Sequence, residues 1–207
     1  MNDIHDRPPE PEPGSDRELF LDFANTVELS GGVPTDHVAG PSELRAWLSA
    51  HGLIGTSVRT AALEARMAAF RELRDVIRDV VAGLASDARP APAQVHALNR
   101  AMRDGVHYHE LQAAEDGAAF TVGQVGDALD LARAAIAGSL AHYIADHPVD
   151  RLRVCANDRC RWVFVDRSPG GRRRWCDMSV CGNRAKVARH RARAQSTVKP
   201  RSGATPS

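Results

Sequence analysis

Cys155-Ala156-Asn157-Asp158-Arg159-Cys160 and Cys176-Asp177-Met178-Ser179-Val180-Cys181 decide how the carboxyl-terminal part of this chain folds. The two stretches hold all four cysteines of the 207 residues, as two pairs of identical spacing. Four thiolates, two from each arm, complete a tetrahedral zinc ion without any other ligand. The alternative is four reduced core cysteines or redox thiols, which two equal pairs fit less well. Four sulfurs close the coordination sphere against water, so the expected role of Cys155, Cys160, Cys176 and Cys181 is to hold one structural zinc. The surrounding segment has few large apolar residues. Metal binding of about 10–16 kcal/mol would therefore be coupled to its folding.

Charge changes sharply at the same place. Residues 151–207 carry 15 basic and three acidic side chains, a balance of +12, and residues 1–150 carry a balance of −11. The near-neutral total hides a dipolar chain, and the cationic end points to an anionic partner, nucleic acid above all. Only Lys186 and Lys199 are lysines, so arginine abundance says less than arginine clustering. Arg172, Arg173 and Arg174 precede the second pair. A helix expected from about Ser179 to Ala194 adds Arg184, Lys186, Arg189, Arg191 and Arg193. At about 100° per residue, Cys181, Ala185, Ala188 and Ala192 share a face suited to packing on the metal loops. Lys186, Arg189 and Arg193 point away from it, and Arg184 and Arg191 share a flank. Such a helix fits the major groove of DNA. Arg184 follows the last ligand closely enough to brace the metal loops instead. Docking on the acidic first half is the competing use of the basic face. Trp162 and Trp175 are read as filling the small core in preference to stacking on bases.

The run Arg173-Arg174-Trp175-Cys176-Asp177-Met178, followed by Cys181-Gly182-Asn183-Arg184-Ala185-Lys186, resembles the CGNR zinc finger. Cys155 to Cys160 and Phe164-Val165-Asp166 extend the likeness over residues 151–194. Leu21-Asp22-Phe23-Ala24-Asn25-Thr26-Val27 resembles the helical ABATE-type domain that accompanies this finger. The resemblance implies zinc and DNA binding in a stress-induced bacterial transcription regulator. Gly182 would then allow a tight ligand turn and close backbone approach. Asn183 would bond nearby backbone or the cysteine sulfurs.

The remainder reads as helices. Leu19, Phe20, Phe23, Ala24 and Val27 have helical spacing, broken by Ser30-Gly31-Gly32-Val33-Pro34. A second helix opens at Pro41 and stops at Gly52. Leu63, Met67, Phe70, Leu73, Ile77, Val80 and Leu84 mark one amphipathic helix over 60–85. Further helices are expected over 93–103 and 125–145. Between them, 106–111 and 118–122 read as a hairpin around Asp116-Gly117. The fold class is thus mainly α with a small β-hairpin: a helical domain at 16–148, then a treble-clef-like zinc module at 151–194. Residues 1–15, with four prolines, and the tail 195–207 are expected to lack fixed structure.

No phosphate-binding Gly-rich loop, HExxH or nucleophile elbow occurs, and nothing in the sequence points to an enzyme. His107 and His109 are read as polar positions on a solvated strand. Asp22 and Asn25, one turn apart, are candidates for a buried polar contact or a ligand pocket. No apolar run reaches membrane-spanning length and the first residues lack a signal-peptide core, so a cytoplasmic location is expected. DNA is the expected partner, with RNA or an acidic protein surface as alternatives. The helical domain would sense a small ligand or form a homodimer.

Overall fold

The computed structural model describes residues 18–30, 33–113 and 120–196. The stretch 1–15, the Asp116-Gly117 turn and the tail beyond Ser196 lie outside the described residues. Among those described, the order is α1 (Leu19–Ala24), β1 (Val27–Ser30), β2 (Val33–Asp36), α2 (Pro41–Ala50), α3 (Thr60–Leu84) and α4 (Pro92–Asp104). Then follow β3 (Tyr108–Ala113), β4 (Phe120–Val125), α5 (Ala128–Asp146), β5 (Leu152–Val154), β6 (Val163–Val165) and α6 (Asn183–Ser196). Each consecutive strand pair forms its own antiparallel two-stranded sheet. No helix among the described residues is long and apolar enough to cross a membrane.

The helix boundaries follow local chemistry. Pro41 and Pro92 stand at helix starts, where their missing N–H costs nothing. The Gln94 side chain accepts from Ala91 N at 2.8 Å. Asp127 caps α5 by accepting from Leu129 N and Asp130 N, both at 3.0 Å. α3 buries Leu63, Met67, Phe70, Leu73, Ile77 and Val80 of the stripe its spacing predicts, adds Val81, and leaves Leu84 only partly buried. These meet Phe20 and Phe23 of α1, Leu44 and Leu48 of α2, and Ile136 and Leu140 of α5 in one core.

The first helix is shorter than its apolar spacing predicts. It ends at Ala24, and Val27 begins a strand paired to Asp36. Thr26 is why: its Oγ1 donates to Phe23 O at 2.7 Å and receives Arg74 Nη1 at 3.0 Å. Arg74 sits on the buried side of α3, 4% exposed, and grips Asp36 with two bonds of 2.7 Å. A bidentate guanidinium–carboxylate pair fixes both position and orientation, and so holds the β1–β2 hairpin on α3. Burial alone would raise the Asp36 carboxyl, but Arg74 and the Val38 N–H outweigh it and hold it below the ordinary range. The β3–β4 hairpin forms where expected, displaced two residues along the chain.

The basic end does not fold apart from the helices. Leu152, fully buried, and Val163, 2% exposed, belong to the main core with α1 and α3. Asn25 ties this hairpin down from α1: its Nδ2 donates to Val163 O at 2.9 Å and its Oδ1 accepts from Val163 N at 3.0 Å. Trp162 Nε1 donates to Glu28 Oε2 at 2.8 Å, and the other oxygen of Glu28 meets His37 Nε2 at 2.9 Å. Arg78 Nη1 donates to Ala24 O and Val27 O at 2.7 and 3.1 Å. Asn25 and Glu28 of the acidic half thereby hold the start of β6, and Arg78, whose Nη2 also lies 3.5 Å from Arg161 O, ties their segment to α3.

Candidate metal centre and basic helix

The β5–β6 hairpin presents the first cysteine pair. Beyond β5, Cys155 N still donates to Trp162 O at 2.7 Å, so Cys155 leaves the ladder in a fixed direction. The intervening loop turns on Asn157. Its carbonyl accepts from Cys160 N at 2.8 Å and Arg161 N at 3.1 Å, and its Oδ1 accepts from Arg159 N at 3.1 Å. Arg161 closes the loop in the left-handed region, φ 57°. Ala156 N donates to Arg174 O at 2.8 Å and joins the two arms.

Asp166, 1% exposed, organises the connection to the second pair. Its carboxylate accepts from Ser168 Oγ at 2.6 Å, Ser168 N at 3.0 Å and Arg173 N at 2.7 Å. Burial would raise this acid, but the three donors, the Ser168 hydroxyl first, hold it down at about 2. From the far side Arg151 Nη1 donates to Ser168 O at 2.9 Å and Arg153 Nη2 to Gly171 O at 3.0 Å.

The second pair straddles a wide turn, Met178–Gly182, in which Gly182 N reaches back five residues to Asp177 O at 3.0 Å. Asp177 Oδ1 caps the turn, accepting from Val180 N at 2.8 Å and Ser179 Oγ at 2.6 Å. Those bonds, Ser179 foremost, lower its carboxyl. Gly182 has no left-handed φ, and a Cβ there would meet only Met178, at 2.2 Å from Sδ, the end of an exposed side chain free to turn aside. Asn183 Nδ2 bonds a backbone carbonyl, Ser179 O, at 2.8 Å. It is Asn157 that meets a sulfur, donating from Nδ2 to Cys181 Sγ at 3.4 Å.

All four sulfurs lie within 4.8 Å of one another. Cys160–Cys176 and Cys176–Cys181 are 3.7 and 3.8 Å apart. A zinc tetrahedron with bonds of about 2.3 Å has edges of about 3.8 Å, so the donor set fits one zinc ion. Crowded sulfurs share protons unequally. S–H bonds from Cys160 and Cys176 pull the Cys155 thiol well below the ordinary range, and the bond to Cys155 pushes Cys160 above it. Cys176 is raised by the same pairings. A divalent cation replaces those shared protons and lets all four act as thiolates. The metal is structural, because four sulfurs leave no open position. Around it Cys155, Phe164 and Cys181 form a second small core with Trp162, Trp175 and Val180. Both tryptophans are thus packing residues, and Trp162 is a latch as well.

The cationic side chains divide by use. Arg173 donates to Cys176 O and lies 5.3 Å from the Phe164 ring centroid; Arg174 lies 5.2 Å from that of Trp175. Both are nonetheless exposed, as are Arg172, Arg184, Lys186, Arg189 and Arg191. The side chain of Arg193 lies outside the described residues. The alanine face of α6 packs less than its spacing suggests: Ala185 is half-buried and Ala188 exposed. The wide turn is the reason. It places more than 3.6 residues in one revolution, so the register of Cys181 does not carry into α6. From Lys186 to Arg191 every side chain of the helix is exposed.

Of the other candidates, Asn25 has both ends of its amide on Val163. Asp22 Oδ2 lies 3.6 Å from His51 Nε2, and His51 stacks on Trp47 at 3.9 Å. Asp22 and Asn25 therefore face different partners. His107 and His109 meet edge to face, 5.7 Å apart, at the β3 end of their hairpin. Sequence reasoning quoted Asn157 and Asp166 within the finger's likeness without a role for either, and missed the Glu28–Trp162 latch. Only the first carried a local signal, an Asn two residues after a ligand and able to turn the loop.

Two family models match the chain. The CGNR zinc finger covers residues 151–194. ABATE, described as "Putative stress-induced transcription regulator", covers residues 17–147. No curated protein matches the sequence.

Proposed function

We propose, for a chain that belongs to the ABATE family and ends in a CGNR zinc finger, that it is a DNA-binding transcription regulator of the bacterial cytoplasm. The observation that carries this reading is α6. Its exposed Arg184, Lys186, Arg189 and Arg191 stand on a helix without one acidic residue that packs against the wide turn holding Cys181. A short helix with so little apolar surface gains little from packing, and its like charges repel one another. Phosphate neutralises those charges and releases counterions, which gives affinity and favours the helix together.

Arg172 and Arg174 add exposed positive charge to the same zinc lobe. The helical body serves sensing or dimerisation, and the protein is not an enzyme. The test is fluorescence anisotropy of a labelled duplex titrated with the zinc-loaded full chain over a salt series. Affinity should fall steeply with salt, and duplex DNA should outcompete duplex RNA. Absence of salt-dependent binding refutes the reading, and preference for RNA replaces DNA by RNA as partner.

A further inference from the structure

Viewed down its axis at about 100° per residue, α6 has four sides. Ala185, half-buried, faces the zinc lobe. The side roughly opposite carries Asn183, Val187 and His190, all exposed; Val187 keeps 48% of its surface. Between these two sides lie the cations. Arg184 and Arg191 fall about 20° apart on one flank, and Lys186 and Arg189 fall on the other, about 140–160° around the axis, with Arg189 nearer the Ala185 side. Arg193 continues the second flank by position. The helix is fixed to the metal lobe by the Asp177-capped turn and Cys181, so the directions of these sides are set by the fold.

A flat anionic surface, whether a membrane or an acidic protein face, meets one flank of a helix and leaves the other in water. Cations on two opposed flanks, with an exposed uncharged side between them, match a partner that offers phosphate on both sides. The major groove of duplex DNA is about 12 Å wide and bordered by two phosphate rows, and a helix with its side chains is about 10–12 Å across. Building on the DNA-binding reading above, we propose that α6 lies in the major groove. Arg184 and Arg191 meet one wall, and Lys186 and Arg189 meet the other. Val187 and His190 face the base edges, the valine against a thymine methyl and the imidazole N–H toward a purine acceptor. This assigns affinity to the flanks and sequence discrimination to the side between them.

The test uses the zinc-loaded full chain, a labelled 20-base-pair duplex of mixed sequence, and selection from a randomised duplex library. Arg191→Gln and Arg189→Gln, on opposite flanks, should each flatten the slope of log K against log salt by about 0.9. Val187→Ser and His190→Ala should leave that slope intact and change the selected sequence. Zinc content and circular dichroism confirm that each variant is folded. If one flank alone alters the slope, the helix rests on a surface and the groove assignment fails, while DNA binding stands. An unchanged selected sequence in both central variants also overturns the assignment. Binding to the single strand as tight as to the duplex overturns it too. Failure of the unsubstituted chain to bind duplex would remove the functional reading itself.

Discussion

Replacing Asn25 by Ala tests whether the basic end and the helical body are one folding unit. The side chain makes two hydrogen bonds, of 2.9 and 3.0 Å, to the backbone of a residue 138 positions away. Val163 is 2% exposed, so neither its N–H nor its C=O gains water easily once the amide is removed. Each unsatisfied buried backbone group costs about 1–3 kcal/mol. The bonds are partly buried, which places the total toward the lower end, about 2–4 kcal/mol. A domain of this size has about 5–15 kcal/mol in all, so the loss is a large fraction. Asn25→Asp sharpens the test. It keeps an acceptor for Val163 N and sets a carboxylate against Val163 O, so it should destabilise as well. The assay is urea unfolding of zinc-loaded protein at pH 7, followed by tryptophan fluorescence and by helical circular dichroism. In a Trp47→Phe background, which removes the tryptophan of α2, Trp162 and Trp175 report the zinc lobe, and the circular dichroism reports α3 and α5. Both signals should shift together to lower urea. A change below about 0.5 kcal/mol, or separation of the two signals with Asn25 in place, would refute a shared core.

Three further outcomes follow from the same geometry. Asn157→Ala removes the donor to Cys181 Sγ and the acceptor for Arg159 N, and zinc affinity in chelator competition should drop about 10- to 100-fold. Cys176→Ser should abolish the single bound zinc in native mass spectrometry, because no other described side chain stands with the remaining three sulfurs. Asp166→Asn concerns an acid whose folded value is lowered to about 2. Its stabilisation is present above the unfolded value near pH ~4 and is lost as pH falls toward 2, so the variant should be less stable by about 2–3 kcal/mol at pH 7. The gap between the two proteins should narrow through that acid window in pH-dependent unfolding; a gap independent of pH would show that Asp166 acts through shape alone.

What was legible in the sequence was local chemistry. Two cysteine pairs state their own ligand set, and the stripe from Leu63 to Val80 states its own helix. The pairings that assemble the molecule are of another kind. Asn25 and Val163, Glu28 and Trp162, and Arg74 and Asp36 lie far apart in sequence. No periodicity connects them. The change of charge near residue 150 marks a change of surface, whereas Leu152 and Val163 continue the core of the helices beneath it. Val27 shows the same limit on a smaller scale. Its apolar side chain extends a helical pattern, but Thr26 and Arg74 turn the backbone into a strand. The alanine face of α6 packs less than a straight helical wheel suggests, because the wheel cannot register the wide turn, Met178–Gly182, that carries Cys181.

Removal of the metal should divide the zinc lobe, because its two halves are held by different forces. β5 and β6 are anchored by Leu152 and Val163 in the main core, by Asn25, and by Trp162 on Glu28. The part beyond Asp166 has the small cluster around Phe164, the Asp166 bonds and the sulfurs. Zinc bound to four thiolates supplies about 10–16 kcal/mol there, more than so small a cluster gives. Hydrogen exchange after chelation separates the halves residue by residue. The Val163 amide, bonded to Asn25 Oδ1, should stay protected. The amides of Ala156, bonded to Arg174 O, and Gly182, bonded to Asp177 O, should exchange freely, and α6 should lose its helix signal. If Val163 exchanges as fast as Gly182, the metal holds the whole hairpin and the anchoring by the helical body is overstated. If Gly182 stays protected, the wide turn stands without zinc and the metal is not what fixes the direction of α6.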